Sequence, residues 1–269
     1  MESYLKVTRQ LFSVVTLCIA SSFAENFVFA AVPIDTDGPD FVESSEVIGK
    51  NRFQYEADFL SQRDTRASTT VNTTSTPTLI KYGISETTEV RIETEGYIWS
   101  DNSSTNAILS GAGDTALGLK WHTLDGGKTT GKPSISWILH FDVPTGTNGF
   151  SKPGIRPSVR TVMTWELPEN FALGIMPGIK YDSAEDGHRF TSGIFGAVLN
   201  NHVTESFRAF VELAVQQLAQ SQDGGTIAYW DIGAAYLLTV DTQLGFRGGV
   251  AANQNTPSNY LLFELAQRF

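Results

Sequence analysis

Cysteine is almost missing from this 269-residue chain: Cys18 is the single one, so no intrachain disulfide can brace the fold. An exported chain without disulfides has to draw its stability from packing or from sheet closure. Long apolar runs are missing as well. None reaches the ~18 to 20 residues that a membrane helix needs, and mean hydropathy is only −0.11. Helical membrane proteins are thereby excluded. A transmembrane barrel is not, because its lumen-facing polar residues alternate with lipid-facing apolar ones and average out. Basic residues are also short: 19 Lys and Arg stand against 29 Asp and Glu, for a net charge of −10. Nucleic acid is therefore no partner, since phosphate binding needs a basic surface. The four histidines are scattered, with no His–carboxylate cluster for a metal, so neither metal nor cofactor is expected.

What is present begins with a secretory pattern. Lys6 and Arg9 precede the apolar Leu11–Ala20, and Ser22-Phe23-Ala24 puts small residues at the cleavage-defining positions. Residues 1–24 read as a signal peptide, with Ala30 or Ala31 as the second choice of cleavage site. Leu17 before Cys18 is not the small residue that lipidation requires. Residues 25–50, including the acidic PIDTDGPDFVESSEVIGK, are aperiodic and read as a flexible N-terminal linker.

From Asn51 to Phe269 the period of two takes over. Phe53, Tyr55, Ala57 and Phe59 alternate with polar partners, and Gln62–Thr76 reads as a loop. Val90, Ile92, Thr94, Gly96 and Ile98 then oppose Glu89, Arg91, Glu93 and Glu95. Four ionisable groups on one strand face cannot lie against a dry core without partners, but they can line a water-filled lumen. Ser100–Ser110 reads as a loop. Alternation resumes through Thr115–Trp121, Ile135–Asp142, Val159–Glu166, Phe171–Tyr181 and Arg189–Leu199. Glu205–Gln217 fits a strand or an amphipathic helix; its place between regular strands selects the strand. Ala228–Tyr236 and Leu244–Val250 precede the last stretch, Asn259–Phe269. There Leu261, Phe263 and Leu265 share a face, and the chain closes on an aromatic residue.

The expected fold is all-β: an antiparallel transmembrane β-barrel spanning 51–269, with about twelve strands of roughly ten residues. Longer polar loops mostly alternate with short turns, and an even count puts both termini on the periplasmic side of the outer membrane. Parity sends Glu89, Arg91, Glu93, Glu95, Asp114, Lys120, His140, Asp142, Arg160, Glu166, Lys180, Arg208, Glu212, Asp231, Arg247 and Glu264 into the lumen. Their mixed signs suit a transverse field across a pore, or pairs that plug a closed barrel. Trp99, Trp121, Trp137, Trp165 and Trp230, with Tyr82, Tyr97 and Tyr181, suit aromatic girdles in a lipid bilayer; packing in a core is the other reading.

Three blocks are more specific than the alternation. They are Leu79-Ile80-Lys81-Tyr82-Gly83 running to Glu89-Val90-Arg91, then Ser110–Lys120 (SGAGDTALGLK), then Phe141–Gly146 (FDVPTG). In this order and spacing the chain resembles the outer-membrane transporter family named after the meta-pathway of phenol degradation. The resemblance covers about Asn51–Phe269 and rests mostly on SGAGDTALGLK. It implies a β-barrel passing aromatic or other small hydrophobic compounds, a small-molecule solute as partner, and a Phe269 terminus read by the barrel-assembly machinery. Barrel phospholipases carry His and Ser two apart, whereas here the spacing gives His140-Phe141-Asp142, so no enzyme is expected. The other readings are a closed barrel acting as adhesin or envelope scaffold through its loops, and a secreted soluble β domain.

Overall fold

The structure, a computed structural model, describes residues 32–66, 69–105, 107–184 and 186–269. The expected signal peptide, and with it the expected cleavage sites, lie outside the described residues. From Pro33 onward the chain forms a single unit.

Fifteen antiparallel segments form one closed sheet: β1 (Phe53–Arg66), β2 (Thr69–Ser75), β3 (Thr78–Gly83), β4 (Thr88–Thr94), β5 (Tyr97–Asn102), β6 (Ala107–Ala112), β7 (Thr115–Leu124), β8 (Ser134–Val143), β9 (Arg156–Glu166), β10 (Phe171–Ser183), β11 (Arg189–His202), β12 (Phe207–Leu218), β13 (Ile227–Thr239), β14 (Thr242–Ala251) and β15 (Asn259–Arg268). Six of them are halves of three interrupted strands, β2/β3, β4/β5 and β6/β7, so the barrel has twelve strands. Glu205–Gln217 is strand β12, as its position requires: a helix there would leave two neighbours without backbone partners.

The three interruptions lie side by side. Pro77 has no N–H to give to a ladder, but its carbonyl accepts from Asp58 N–H at 2.8 Å. Gly113 N–H donates to Gly96 O at 2.8 Å, and Gly96 takes φ +71°, where a Cβ would lie 1.9 Å from Thr76 O. Only glycine fits there. Gly96→Ala is expected to lower the temperature at which the folded barrel converts to its slower-migrating gel form, a loss of about 1–3 kcal/mol. Gly149→Ala, at φ +90° with no atom near the added Cβ, isolates the backbone strain from the clash. Equal effects of the two would show that the crossing of the strands tolerates a side chain.

The interruption flips the side-chain parity, which corrects one expectation. Ile98 was expected outside with Val90 and Ile92, but it is buried, while Tyr97 is exposed. The expected loops 62–76 and 100–110 are also mostly strand, belonging to β1, β2, β5 and β6. At that end both strand faces meet water, so the sequence has no apolar alternation to display.

Elsewhere the barrel inverts the soluble pattern. Val90, Ile92, Leu117, Leu139, Ile232 and Phe263 are exposed on the outer face, while Glu89, Arg91, Lys120, Glu212 and Asp231 are buried. An apolar belt of this extent needs lipid. Trp121, Trp137, Trp230, Tyr82, Tyr97 and Tyr181 are exposed with it, and Trp99 and Trp165 half-buried. β15 closes the sheet on β1, from Gln54↔Arg268 to Arg63↔Asn259. Phe269 extends the seam, donating to Phe53 O at 2.8 Å and accepting from Phe53 N–H at 3.3 Å.

Candidate functional site: the lumen and its internal segment

The acidic segment 33–50, expected as a flexible linker, has no strand but is largely buried inside the barrel. Aperiodicity was read correctly from its prolines and acids; solvation was not, because the groups that bind it are spread over the whole wall. Its first turn is pinned near the chain ends, where Ile34 N–H donates to Val240 O at 2.7 Å and Gln243 Nε2 to Thr36 Oγ1 at 2.6 Å.

Asp37 is the centre of the arrangement. Its Oδ2 accepts from Lys81 Nζ at 2.9 Å and Arg91 Nη2 at 3.1 Å, and its Oδ1 from Lys120 Nζ at 2.8 Å. All four side chains are at most 4 % exposed. Lys81 belongs to the LIKYG block, Arg91 to the EVR run and Lys120 to the end of SGAGDTALGLK, so the first two blocks converge on one carboxylate. Glu56 accepts the backbone N–H groups of Asp37 and Gly38 at 3.0 and 3.1 Å and lies 2.5 Å from Lys81 Nζ.

Further along, Asp40 receives both terminal nitrogens of Arg208, at 2.8 and 2.9 Å, the fork geometry that suits Arg to carboxylate. Glu212 accepts from Phe41 and Val42 N–H at 2.8 and 2.7 Å. Glu43 pairs with Arg91 and, at 2.5 Å, with Arg160 Nη1. Glu89 accepts from Ile48 N–H at 2.9 Å, while Ser136 Oγ and His122 Nδ1 meet Ser45 O. The apolar Val42 completes a cluster of Ile138, Val162, Met176, Val198 and Phe210 from β8 to β12. An apolar patch on β8 to β12 thus sits among the charges of the wall, and Val42 meets the patch while its acidic neighbours meet the charges.

Two adjacent residues measure how fully the segment crosses the lumen. Val42 is held by Glu212 on β12 and Glu43 by Arg91 on β4. Counted round the ring from β1, these are the ninth and third of twelve strands, on opposite walls.

At the end of the barrel away from the termini, residues 144–155 fold inward beside a cavity of about 660 Å³. Asp114, the acid of SGAGDTALGLK, accepts Gly146 N–H at 2.9 Å, Lys152 N–H at 3.1 Å and Arg156 Nη2 at 2.7 Å. One block therefore fixes this loop at its start and the internal segment at its end. Lys180 meets Asp142 at 2.7 Å, and His140 lies 3.1 Å from Glu93.

The lumen candidates sort by position. Glu89, Arg91, Lys120, Arg160, Arg208 and Glu212 grip the segment; Glu93, Glu95, Asp114, His140, Asp142 and Lys180 line the cavity. Asp231, Arg247 and Glu264 are buried on the β13–β15 wall, with Arg247 3.5 Å from Glu212 and Glu264 receiving Gln243 Nε2 at 3.3 Å. Glu166 stands exposed at the end of β9, apart from the others. Parity missed Lys81, whose strand is too short to show a period, and Arg156, placed in the loop ending at Pro157. It also missed Asp37, Asp40 and Glu43. Their signal is charge complementarity, acids packed into 33–50 against the bases of the wall.

Burial alone would raise the Asp37 carboxyl, but Arg91, Lys120 and Lys81 outweigh it and hold it well below the usual carboxylate range. Glu43 is likewise buried yet lowered by Arg91 and Arg160. Their pairs stabilise the seated segment above the free-carboxyl values of about 3.9 and 4.3, and that contribution is lost as pH falls through the lowered ones. Loss of these two pairs is therefore expected to release the segment, and ion conductance to rise, as pH falls below about 4. No rise below about 4 would place the hold on the segment on other groups.

A closed antiparallel barrel with an apolar outer belt and a charged interior defines an outer-membrane β-barrel protein. Residues 36–269 match the family described as "Putative MetA-pathway of phenol degradation", and the chain belongs to that family. The match begins at Thr36, so Asp37 and the internal segment from Thr36 onward lie inside it. Comparison with curated proteins gives no match. Among solved structures, the COG4313 outer membrane channel from Pseudomonas putida F1 has a TM-score of 0.69 at 13 % identity, covering 86 % of this chain and 99 % of that one. The beta domain of the Bordetella autotransporter BrkA has a TM-score of 0.53 at 13 % identity, covering 81 % and 98 %. The NanC porin reaches 0.52 at 10 % identity, covering 78 % and 98 %. At these identities the likeness is one of fold, shared by a channel, a porin and an autotransporter beta domain.

Proposed function

We propose that this protein is a passive outer-membrane channel for small compounds, shut at rest by its own residues 33–50. The observation that carries this reading is the bridge from β4 to β12 through adjacent residues Glu43 and Val42. A barrel meant only as a scaffold fills its lumen with side chains that pair across it. Here Lys81, Arg91, Lys120, Arg160, Arg208 and Glu212 are instead spent on a segment that has no strand pairing to hold it. In this reading residues 1–24 are a cleaved signal, both termini are periplasmic, and the inward-folded 144–155 loop forms the outer mouth. The wall carboxylates and bases line the path once the segment leaves, and no catalysis is involved.

The relative named as an outer membrane channel supports the same reading by family of fold. The full-length protein in planar bilayers is expected to show brief, discrete conductance steps. Absence of steps from both this protein and a variant with an unlatched segment would leave the closed scaffold, with the 144–155 loop as its binding surface.

A further inference from the structure

We infer that Lys81, Arg91 and Lys120 form an oxyanion site in the lumen, which Asp37 occupies at rest and which takes the carboxylate of a small organic acid when the segment leaves. The inference rests on the channel reading and narrows its solute class. Three cations from three neighbouring strands converge on the two oxygens of one carboxylate at 2.8 to 3.1 Å, out of contact with solvent. Among the described residues Asp37 is the acid within ion-pair distance of Lys120. Lys81 retains Glu56, and Arg91 retains Glu89 at 4.0 Å.

The cost of removing Asp37 decides which solute can replace it. Three cations held together without a carboxylate repel one another, and water in the vacated lumen offsets that repulsion only in part. A neutral solute leaves the repulsion in place, and a cationic one adds to it. A carboxylate restores the pairing that it displaces, and so has a differential affinity for the vacated state, which is what shifts an equilibrium.

The route to the site offers cations among its carboxylates. The cavity at the far end is lined by Lys152, Arg156, Arg160, Lys180 and His140 as well as by acids. Arg160 holds Glu43, and Glu43 also pairs with Arg91. An anion entering the cavity thus meets Arg160, then Arg91, then the Asp37 position, each contact replacing one of the segment's own carboxylates.

Benzoate and benzyl alcohol, equal in size and differing in charge, test this on the full-length protein in planar bilayers at constant chloride. Benzoate is expected to raise the open fraction about tenfold while benzyl alcohol does not, and Lys120→Met is expected to abolish the difference. A second measurement needs no conductance. In full-length Asp37→Ala, formate is expected to raise the temperature of the gel-mobility transition saturably, by refilling the vacated site, and formamide to leave it unchanged. Equal responses to benzoate and benzyl alcohol, or no formate effect, overturn the site. Openings that ignore charge leave the channel standing without it. Formate rescue in a protein that never opens keeps the site and removes the channel.

Discussion

Full-length protein carrying Asp37→Ala together with Glu43→Ala is expected to stay open in planar bilayers for most of the recording, against brief openings for the native chain. The two carboxylates satisfy four cations: Lys81, Arg91 and Lys120 on Asp37, and Arg91 again with Arg160 on Glu43. Breaking one buried pair by removing a partner costs about 3–5 kcal/mol, because the remaining charge stays buried. That penalty falls on the closed state, since the same cations are hydrated once the segment has left. Moving an equilibrium from 1:99 to 99:1 takes about 5.5 kcal/mol, so removing both acids is enough even at the low end. The contacts left are Asp40 on Arg208, backbone N–H groups on Glu56, Glu89 and Glu212, and Ser45 O with Ser136 and His122; apart from Asp40, none of them pairs a charge of the segment with a charge of the wall. A double variant that conducts no more than the native protein would mean that the segment does not gate the barrel.

Deleting Phe269 is expected to cut the folded, heat-modifiable fraction in cells about tenfold or more, although the contacts it makes are few. They are two backbone hydrogen bonds with Phe53, at 2.8 and 3.3 Å, and rings 6.0 Å from Phe53 and 6.1 Å from Tyr55. Such hydrogen bonds contribute only about 0.5–1.5 kcal/mol each, and the β1–β15 seam behind them keeps its register from Gln54↔Arg268 onward. A large loss in cells therefore reports recognition of the terminus by the assembly machinery rather than weakening of the barrel. Refolding of the truncated chain into detergent separates the two, and is expected to proceed nearly as for the intact chain. Phe269→Tyr, which keeps an aromatic terminus, is expected to assemble. Equal assembly of truncated and intact chains in cells would remove Phe269 from the assembly signal.

The two predictions differ in how far the sequence foreshadows them. The terminal strand is legible because lipid on one side and lumen on the other force alternation at period two: Leu261 and Phe263 are exposed, Leu262, Glu264 and Ala266 buried. Alternation does not separate strand from helix in β12, which is recoverable from its place between regular strands. Alternation failed where its cause is missing. In β2, β5 and β6 both faces meet water, so strands passed for loops. At Gly96 a positive φ reset the parity and carried Ile98 inside.

Alternation and composition along the chain are enough for the class of fold, the outward apolar and inward charged faces, and the blocks that mark the family. What those blocks contact follows from how the sheet closes. Lys81, Arg91 and Lys120 are separated along the chain and meet because β3, β4 and β7 are neighbours in the closed sheet, and Asp37 reaches them because its segment runs inside. Periodicity records which side of a strand a residue faces. It carries nothing about which non-strand segment lies within the ring, because that depends on charge matched across the lumen, a property of closure rather than of any stretch of chain.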